Sequence, residues 1–460
     1  MIPKPVLSHI NDSQARYLAD LIEFLRIPSI SMYSSYAGDV RKAAQWALDR
    51  AQRLGFTGAL YETPGHPVVY AELCPHKDAP TLLIYGHYDV QPAEPLEKWL
   101  TPPFEPAVRD GAVYARGATD DKGQLFTYFM AIESILSAEG ELPLNVKLFL
   151  EGEEELGSPN MDAFCTAHRE MLKADYVAVS DGSKFEKHLP AIEYGLRGLV
   201  YMQLDVQGPA CDIHSGVYGG AVANPAQALV AIIRTMRDDK GHVLIPGFYD
   251  RVRAIEPWER EQLAALPLNE ESIKTLLGVD RFVPEEGFTF LESTWARPTC
   301  EINGIWGGFQ GEGSKTIIPA SAGAKVSMRL VPDQDPLEIM RLFEEHVRKV
   351  TPPGVTVTIT AHAHSGPVIV SRQSDAILAA EKSLTYAYGR KPVFVRSGGS
   401  IGVVVTMKEQ LGIEEVLLIG WGNPEDGEHS PNEHFSLDDF YRGTLAVAAL
   451  MYELGERKAP

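Results

Sequence analysis

The sequence has few cysteines, no long apolar run and a deficit of positive charge. The four cysteines among its 460 residues lie far apart and form no CxxC pair, which argues against a disulfide scaffold or a cysteine zinc site. No segment approaches the roughly 18 consecutive apolar residues of a membrane span. The first residues lack the apolar core and cleavage motif of a signal peptide. We therefore expect a cytoplasmic protein.

The charge balance narrows the class of partner. The formal net charge is −20 at pH 7, which argues against a nucleic acid or an anionic membrane as the partner. It is compatible with a protein that holds cations in a carboxylate-rich site. The chain is also too long for one ordinary hydrophobic core, so two domains are expected.

Both ends of the chain predict an α/β domain. Residues 14–55 have the apolar spacing of helices, and 123–137 predicts another helix. Short, continuously apolar runs are typical of strands covered on both faces, and they occur at 81–86, 145–150, 175–180 and 415–420. Alternation of such strands with helices indicates a mixed, largely parallel sheet.

The middle of the chain predicts a different module. Its predicted elements follow the order β-α-β-β-α-β of a ferredoxin-like fold, at 199–206, 224–238, 300–306, 323–332, 335–350 and 354–362. Residues 240–300, rich in proline and acids, interrupt this order as an insertion. We therefore predict one domain formed by 1–197 and 366–460, split by a second domain at 198–365.

The stretch "EGEEELGS" places four glutamates at the end of a predicted buried strand. Carboxylates this close repel one another, and desolvating them near a strand end is costly. Either the stretch is a solvated loop or a positive charge compensates it.

Acids and histidines recur at the ends of the other predicted strands. The carboxyl ends of strands in open α/β sheets converge on one crevice. We therefore expect one shared site that contains the following residues: His87, Asp89, Asp120, Glu154, Glu155, Asp181 and His429. Imidazoles and carboxylates suit Zn²⁺, Mn²⁺ or Co²⁺. The pattern favours a two-metal hydrolytic site, with a spare carboxylate as general base.

A set of motifs along nearly the whole chain resembles the M20 metallopeptidases. The motifs are "GHYDVQP", "YARGATDDKGQ", "EGEEELGS", "VSDGS", "DIHSG", "SMRLVP", "RSGGSIG" and "DGEHSPNE". The similarity is greatest to the dipeptidase branch that includes cytosolic carnosinase. The resemblance implies a di-metal exopeptidase-like catalytic domain, split by an inserted lid or dimerisation domain.

The resemblance implies specific roles at the predicted crevice. One metal ion is bound by His87 and Asp181, a second by Glu155 and His429, and both by Asp120. Asp89 orients the imidazole of His87, and Glu154 is the general base that activates the bridging water. The resemblance also implies a cis peptide bond between Asp120 and Asp121.

The resemblance assigns substrate contacts to residues of the inserted domain and of the segment that follows it. His214 stabilises the oxyanion, in dimeric relatives across the subunit boundary. Arg329 pairs with the terminal carboxylate of the substrate. Gly399 and Ser400 belong to a loop at the same end of the substrate, and His364 either lines the pocket or is a solvated histidine.

The predicted activity is hydrolysis of dipeptides or short peptides with a free C-terminal carboxylate. Two divalent ions per subunit are expected, with Zn²⁺ favoured over Mn²⁺ or Co²⁺, and a homodimer through the lid domain. Ser397 stands where the carnosinase branch has an acid that holds the substrate amine. An amidase or deacylase of N-acyl amino acids therefore stays open, as does an inactive metal-dependent binding protein.

Overall fold

The computed structural model describes residues 2–398 and 402–457, which form two compact units. Unit 1 comprises the described parts of Met1–Tyr194, Val370–Val395 and Gly402–Pro460. Unit 2 comprises those of Gly195–Ile369 and Arg396–Ile401. The boundaries predicted from the sequence were 197/198 and 365/366. The role of unit 2 as a lid or dimerisation domain stays a prediction.

Unit 1 is built on a mixed sheet with four parallel strands at its centre. These are Asn145–Glu151, Thr81–His87, Tyr176–Val179 and Glu415–Ile419, in that spatial order. Val68–Leu73 pairs antiparallel with the first of them, and Ala191–Leu196 with the last. The central strands are buried along almost their whole length because helices cover the sheet. The predicted α/β fold is confirmed.

The helices of unit 1 supply this cover. Lys122–Glu139 is buried almost all round, as its apolar sequence requires in a fully covered helix. The helices are Lys4–Asp12, Gln14–Leu25, Ala37–Arg53, Lys122–Glu139, Met161–Ala167, Arg169–Leu172, Asp375–Tyr388, Gly402–Thr406 and Leu437–Gly455. The remaining strands are Thr57–Tyr61, Ala107–Arg109, Ala112–Tyr114, Val393–Ser397 and His434–Ser436.

Unit 2 has the predicted β-α-β-β-α-β order. Its antiparallel sheet follows the spatial order Thr299–Gly307, Ser321–Leu330, Gly198–Gln207, Thr356–Ser365. Strand Gly198–Gln207 alternates buried and partly exposed residues, so one sheet face packs on helices and forms the core. Asn224 and Asp335 cap the two helices that lie on this face, Pro225–Arg234 and Pro336–Val350.

The first helix of unit 2 is shorter than its predicted span of 224–238. It ends at Arg234, because the chain then turns and Arg237 forms a β-bridge with Val243. The segment 240–300 contains three helices that the sequence did not predict. The other elements of unit 2 are Ile213–His214, Ser215–Tyr218, Pro257–Ala265, Glu270–Leu277, Phe290–Trp295, Ile317–Ile318 and Val368–Ile369.

Within the described residues, no helix combines the length and the apolar character needed to cross a bilayer. The cytoplasmic location stays a prediction.

Candidate metal centre

The ends of three parallel strands in unit 1 bring the predicted ligands together. His87 is the last residue of Thr81–His87, and Asp181 follows Tyr176–Val179 by two residues. Glu155 lies in the 3₁₀ turn Glu154–Leu156, just beyond the strand Asn145–Glu151. All three strands run parallel, so their carboxyl ends meet at one edge of the sheet.

Asp120 is shared between two histidines. Its Oδ1 lies 3.0 Å from Nε2 of His87, and its Oδ2 lies 2.9 Å from Nε2 of His429. His87 Nε2 is also 3.8 Å from Asp181 Oδ2, and His429 Nε2 is 3.3 Å from Glu155 Oε2. The structure thus contains two clusters of possible ligand atoms that have Asp120 in common: His87, Asp120 and Asp181, and Asp120, Glu155 and His429.

The second nitrogen of His87 faces Asp89. Nδ1 lies 3.1 Å from the backbone oxygen of Asp89 and 3.3 Å from its Oδ1. The other carboxylate oxygen of Asp89 accepts a hydrogen bond from the backbone N–H of Glu155 at 3.2 Å. Asp89 is therefore placed to orient the imidazole of His87 and to position the turn that carries Glu155.

The electrostatics of both clusters favour positive charge. Burial lowers the pKa of His87, but hydrogen bonds with three carboxylates outweigh burial and raise that pKa well above its usual value. Hydrogen bonds with Asp120 and Glu155 raise the pKa of His429 to about 10. The surrounding carboxylates would stabilise a divalent cation for the same reason.

The donor chemistry fits metal ions as well. Each cluster offers one imidazole nitrogen and two carboxylates, a set suited to borderline divalent cations. Oε1 of Glu155 is buried and has no hydrogen-bond partner in residues 2–398 and 402–457. A buried carboxylate oxygen of this kind is stabilised by a bound cation, so Glu155 would be a ligand.

Glu154 lies beside these clusters without belonging to either. Burial, together with the nearby charges of Asp181 and Glu155, raises the pKa of Glu154 to about 8 despite the attraction of His87. The two neighbouring glutamates of the run differ from it in their contacts. Glu151 accepts hydrogen bonds from Tyr85 and Ser158, and Glu153 accepts one from Asn160. Both are buried, so this part of the glutamate run is not a solvated loop.

The loop that carries Asp120 is held by a residue that sequence reasoning missed. The buried carboxylate of Glu433 accepts backbone hydrogen bonds from Gly117, Thr119 and Asp120, at 2.9 to 3.1 Å. It also accepts a hydrogen bond from Arg116 at 2.8 Å. Its place in "DGEHSPNE" was the only signal in the sequence. The peptide bond between Asp120 and Asp121 is cis, as expected.

A second missed residue stands next to His429. Glu428 accepts a hydrogen bond from Ser183 Oγ at 3.1 Å. Burial raises the pKa of Glu428 to about 7, with a further contribution from the charges of Asp120 and Asp181. His429 itself has a left-handed backbone, with φ of 59°, a conformation that is uncommon for residues other than glycine.

Unit 2 carries the residues predicted to contact substrate. His214 ends a two-residue strand, and its Nδ1 accepts a hydrogen bond from the backbone of Gly216. Arg329 lies in the strand Ser321–Leu330, and His364 lies on an exposed part of Thr356–Ser365. Gly399 and Ser400 lie outside the described residues. The substrate roles of all five stay predictions.

A comparison with known families decides the class of the protein. Residues 83–453 match the model of Peptidase family M20/M25/M40. The chain belongs to the M20 peptidase family. This M20 peptidase is a metal-dependent hydrolase, and its α/β fold with a mixed sheet is the one of that family.

Two curated relatives of this M20 peptidase are named as dipeptidases. It is 34% identical to a Cys-Gly metallodipeptidase of Schizosaccharomyces pombe, over 97% of each chain. It is 31% identical to the human Beta-Ala-His dipeptidase, over 98% of this chain and 92% of the other.

Two solved structures are similar to this M20 peptidase over almost its whole length. The M20 family metallo-carboxypeptidase Sso-CP2 of Sulfolobus solfataricus has a TM-score of 0.85 and 36% identity, covering 95% of this chain and 99% of the other. Human carnosine dipeptidase 1 has a TM-score of 0.80 and 30% identity, covering 98% of both chains.

Proposed function

We propose that this M20 peptidase hydrolyses dipeptides or short peptides that have a free C-terminal carboxylate. The observation that carries the proposal is Asp120, whose two oxygens face His87 and His429 and join two clusters of possible metal ligands. The names of its relatives, two dipeptidases and a metallo-carboxypeptidase, support this substrate class.

Two divalent ions, with Zn²⁺ favoured, would be held by these clusters, where they would polarise the scissile carbonyl and acidify a water molecule. The residues of the chain supply the remaining steps. His87 and Asp181 would hold one ion, Glu155 and His429 the other, and Asp120 both. Asp89 keeps His87 in the tautomer that leaves Nε2 free to bind.

Glu154 is proposed as the general base. Its carboxylate has no hydrogen-bond partner among the described residues, and it lies within electrostatic range of His87, Asp181 and Glu155. A base with a raised pKa can take a proton from the attacking water and pass it to the leaving amine. Glu154 would thus carry out both proton transfers of peptide hydrolysis.

Arg329 is proposed to bind the substrate carboxylate. It lines a cavity of about 420 Å³ within unit 2, together with Arg197. Burial and the nearby charge of Arg329 lower the pKa of Arg197 to about 10. A guanidinium matches a carboxylate in two parallel hydrogen bonds, so Arg329 is suited to this role.

The substrate class is tested with a matched panel. The panel contains L-Ala-L-Leu, its C-terminal amide and its N-acetyl derivative. We expect L-Ala-L-Leu to give the highest kcat/KM. The amide should be worse by about tenfold to a hundredfold, because a hydrogen-bonded charge pair at Arg329 is lost. Measuring product leucine or leucinamide by chromatography gives all three rates.

The panel also separates the alternative function. A higher kcat/KM for the N-acetyl derivative would contradict the dipeptidase proposal and favour an amidase or deacylase of N-acyl amino acids. Equal rates for the acid and the amide would contradict the requirement for a free carboxylate.

We propose a homodimer in which His214 of each subunit contributes to the active site of the other subunit, as the resemblance to dimeric relatives implies. We expect His214→Ala and Glu154→Ala to be inactive separately. Mixed dimers should recover activity if His214 acts in the partner's site, because one of their two sites then has both residues. Random subunit exchange would restore about a quarter of the wild-type activity.

The mixing experiment has a defined negative outcome. Two affinity tags allow the mixed dimers to be isolated and counted. Verified mixed dimers without activity would show that His214 acts within its own chain, and a monomer at assay concentration would contradict the proposed homodimer.

A further inference from the structure

In the sheet of unit 1, Glu193 is aligned across the strands with Val179 and Tyr85, which lie two residues before the candidate metal ligands Asp181 and His87. Its backbone pairs with Leu418, and Leu418 pairs with Val179, so the three residues form one row across neighbouring strands. Tyr85 extends this row on the next strand. Side chains of one row point to the same face of a sheet.

The same face carries the candidate metal ligands. His87 follows Tyr85 by two residues on one strand, and Asp181 follows Val179 by two residues, the spacing that returns to the same face in extended chain. Two strand spacings, about 10 Å, separate the backbones of Glu193 and Val179. A glutamate side chain spans part of that distance, and the charge of Asp181 acts on Glu193.

The carboxylate of Glu193 has no compensating charge within the part of the chain that the structure describes. Among the described residues, no hydrogen bond or ion pair to its side chain is found, and the only neighbouring charge that acts on it is another acid, Asp181. The residue is largely shielded from solvent but keeps a small accessible surface. Burial raises the pKa of Glu193 to about 7, with a further contribution from Asp181.

An unpaired carboxylate in this position destabilises the free protein. Desolvating a charge without a partner costs free energy, and an apolar or amide side chain would avoid that cost. Ionisable groups whose pKa is shifted by burial and by a nearby charge are concentrated at functional sites. The residue keeps some accessible surface, so it is not sealed within the core.

We propose that Glu193 binds the α-ammonium group of the N-terminal residue of the substrate. The inference rests on the proposed peptidase function, because it needs a substrate held at the candidate metal centre. An α-ammonium group stays largely protonated near pH 7, since its usual pKa is about 8. It is also the one cation that every unmodified dipeptide has, whatever its side chains.

This contact would also explain how the enzyme binds a substrate amine although it has Ser397 in place of an acid. That serine has no charge to offer an amine at the position where similar dipeptidases have an acid. Glu193 provides a carboxylate from a different strand. The enzyme would then select peptides with a free amine through Glu193.

The test compares Glu193→Gln with wild type on L-Ala-L-Leu and on its N-acetyl derivative. We expect kcat/KM for the free-amine substrate to fall about tenfold to a hundredfold, mainly through KM, because a charged hydrogen bond is lost. The rate for the N-acetyl derivative should stay unchanged. Glu141→Gln, which removes the same charge from an exposed position, should affect neither substrate.

A structural role for Glu193 has a different signature. Equal losses on both substrates, or no loss on either, would overturn the proposal. We expect the melting temperature of metal-loaded Glu193→Gln to equal or exceed that of wild type, because a buried unpaired charge is removed. A lower melting temperature with equal losses would assign Glu193 to stability alone.

A substrate side chain is the other source of an ammonium group. N-acetyl-Lys-Leu and N-acetyl-norleucyl-Leu differ in that group, so an effect of Glu193→Gln confined to the lysine peptide would overturn the α-ammonium assignment. If only the inference about Glu193 is wrong, the wild-type protein still hydrolyses L-Ala-L-Leu. Absence of that wild-type turnover overturns both the inference and the proposed function.

Discussion

Glu154→Gln should lower kcat for a dipeptide by about 10²- to 10⁴-fold while both metal ions stay bound, since general acid–base catalysis contributes that much. Glutamine is nearly isosteric with glutamate but does not accept the proton of the attacking water. Glu154 belongs to neither ligand cluster, so metal content should be unchanged. Steady-state kinetics and elemental analysis of the same preparation measure the two quantities.

The matched control for this substitution is Glu170→Gln. Glu170 is exposed in the helix Arg169–Leu172, so its replacement removes the same charge far from any strand end of the site. Its activity should equal that of wild type. Wild-type kcat in Glu154→Gln would exclude Glu154 as the base, and loss of a metal ion would make it a ligand instead.

Removing the metal ions should abolish activity and lower the melting temperature. The carboxylates of both clusters repel one another when no cation compensates them. A ligand present at about a thousandfold its Kd stabilises the folded state by about 4 kcal/mol, which corresponds to a loss of about 5–10 °C on removal. Dialysis against a chelator, followed by calorimetry and activity assays with added Zn²⁺, Mn²⁺ or Co²⁺, tests this prediction.

The substitution Asp120→Ala tests the same prediction by removing a metal ligand instead of the metal ions. Because Asp120 belongs to both clusters, its loss should remove both ions, whereas Asp181→Ala should mainly affect one. The exposed Asp78→Ala provides the control. Full activity after exhaustive chelation, or two bound ions in Asp120→Ala, would contradict the shared-ligand proposal.

The grouping of the candidate ligands could be predicted from strand ends, whereas their individual roles came from the resemblance to the M20 family. Short apolar runs place the central strands, and parallel strands must end at a common edge. His87 and Asp181 were therefore expected at one edge of the sheet, and the structure places their side chains 3.8 Å apart because their strands are neighbours.

Other features depend on tertiary contacts that no local pattern reveals. The hydrogen bonds of Glu433 to the Asp120 loop join segments more than 300 residues apart. The position of Glu193 opposite Leu418 follows from strand register, which a single sequence does not specify. The helices within 240–300 are short. The prolines and acids of this segment obscured their apolar spacing, so the sequence did not predict them.

The Glu433 contacts have a consequence for the timing of activity. His429 and Asp120 are 309 positions apart, and the residues of unit 2 lie between them in the sequence. A ribosome translates the Asp120 loop long before Glu433 and His429. On the proposed mechanism, a nascent chain therefore lacks both an essential imidazole and the carboxylate that holds the shared ligand. Hydrolysis of peptides would begin only after His429 and Glu433 have both been synthesised and have reached the Asp120 loop.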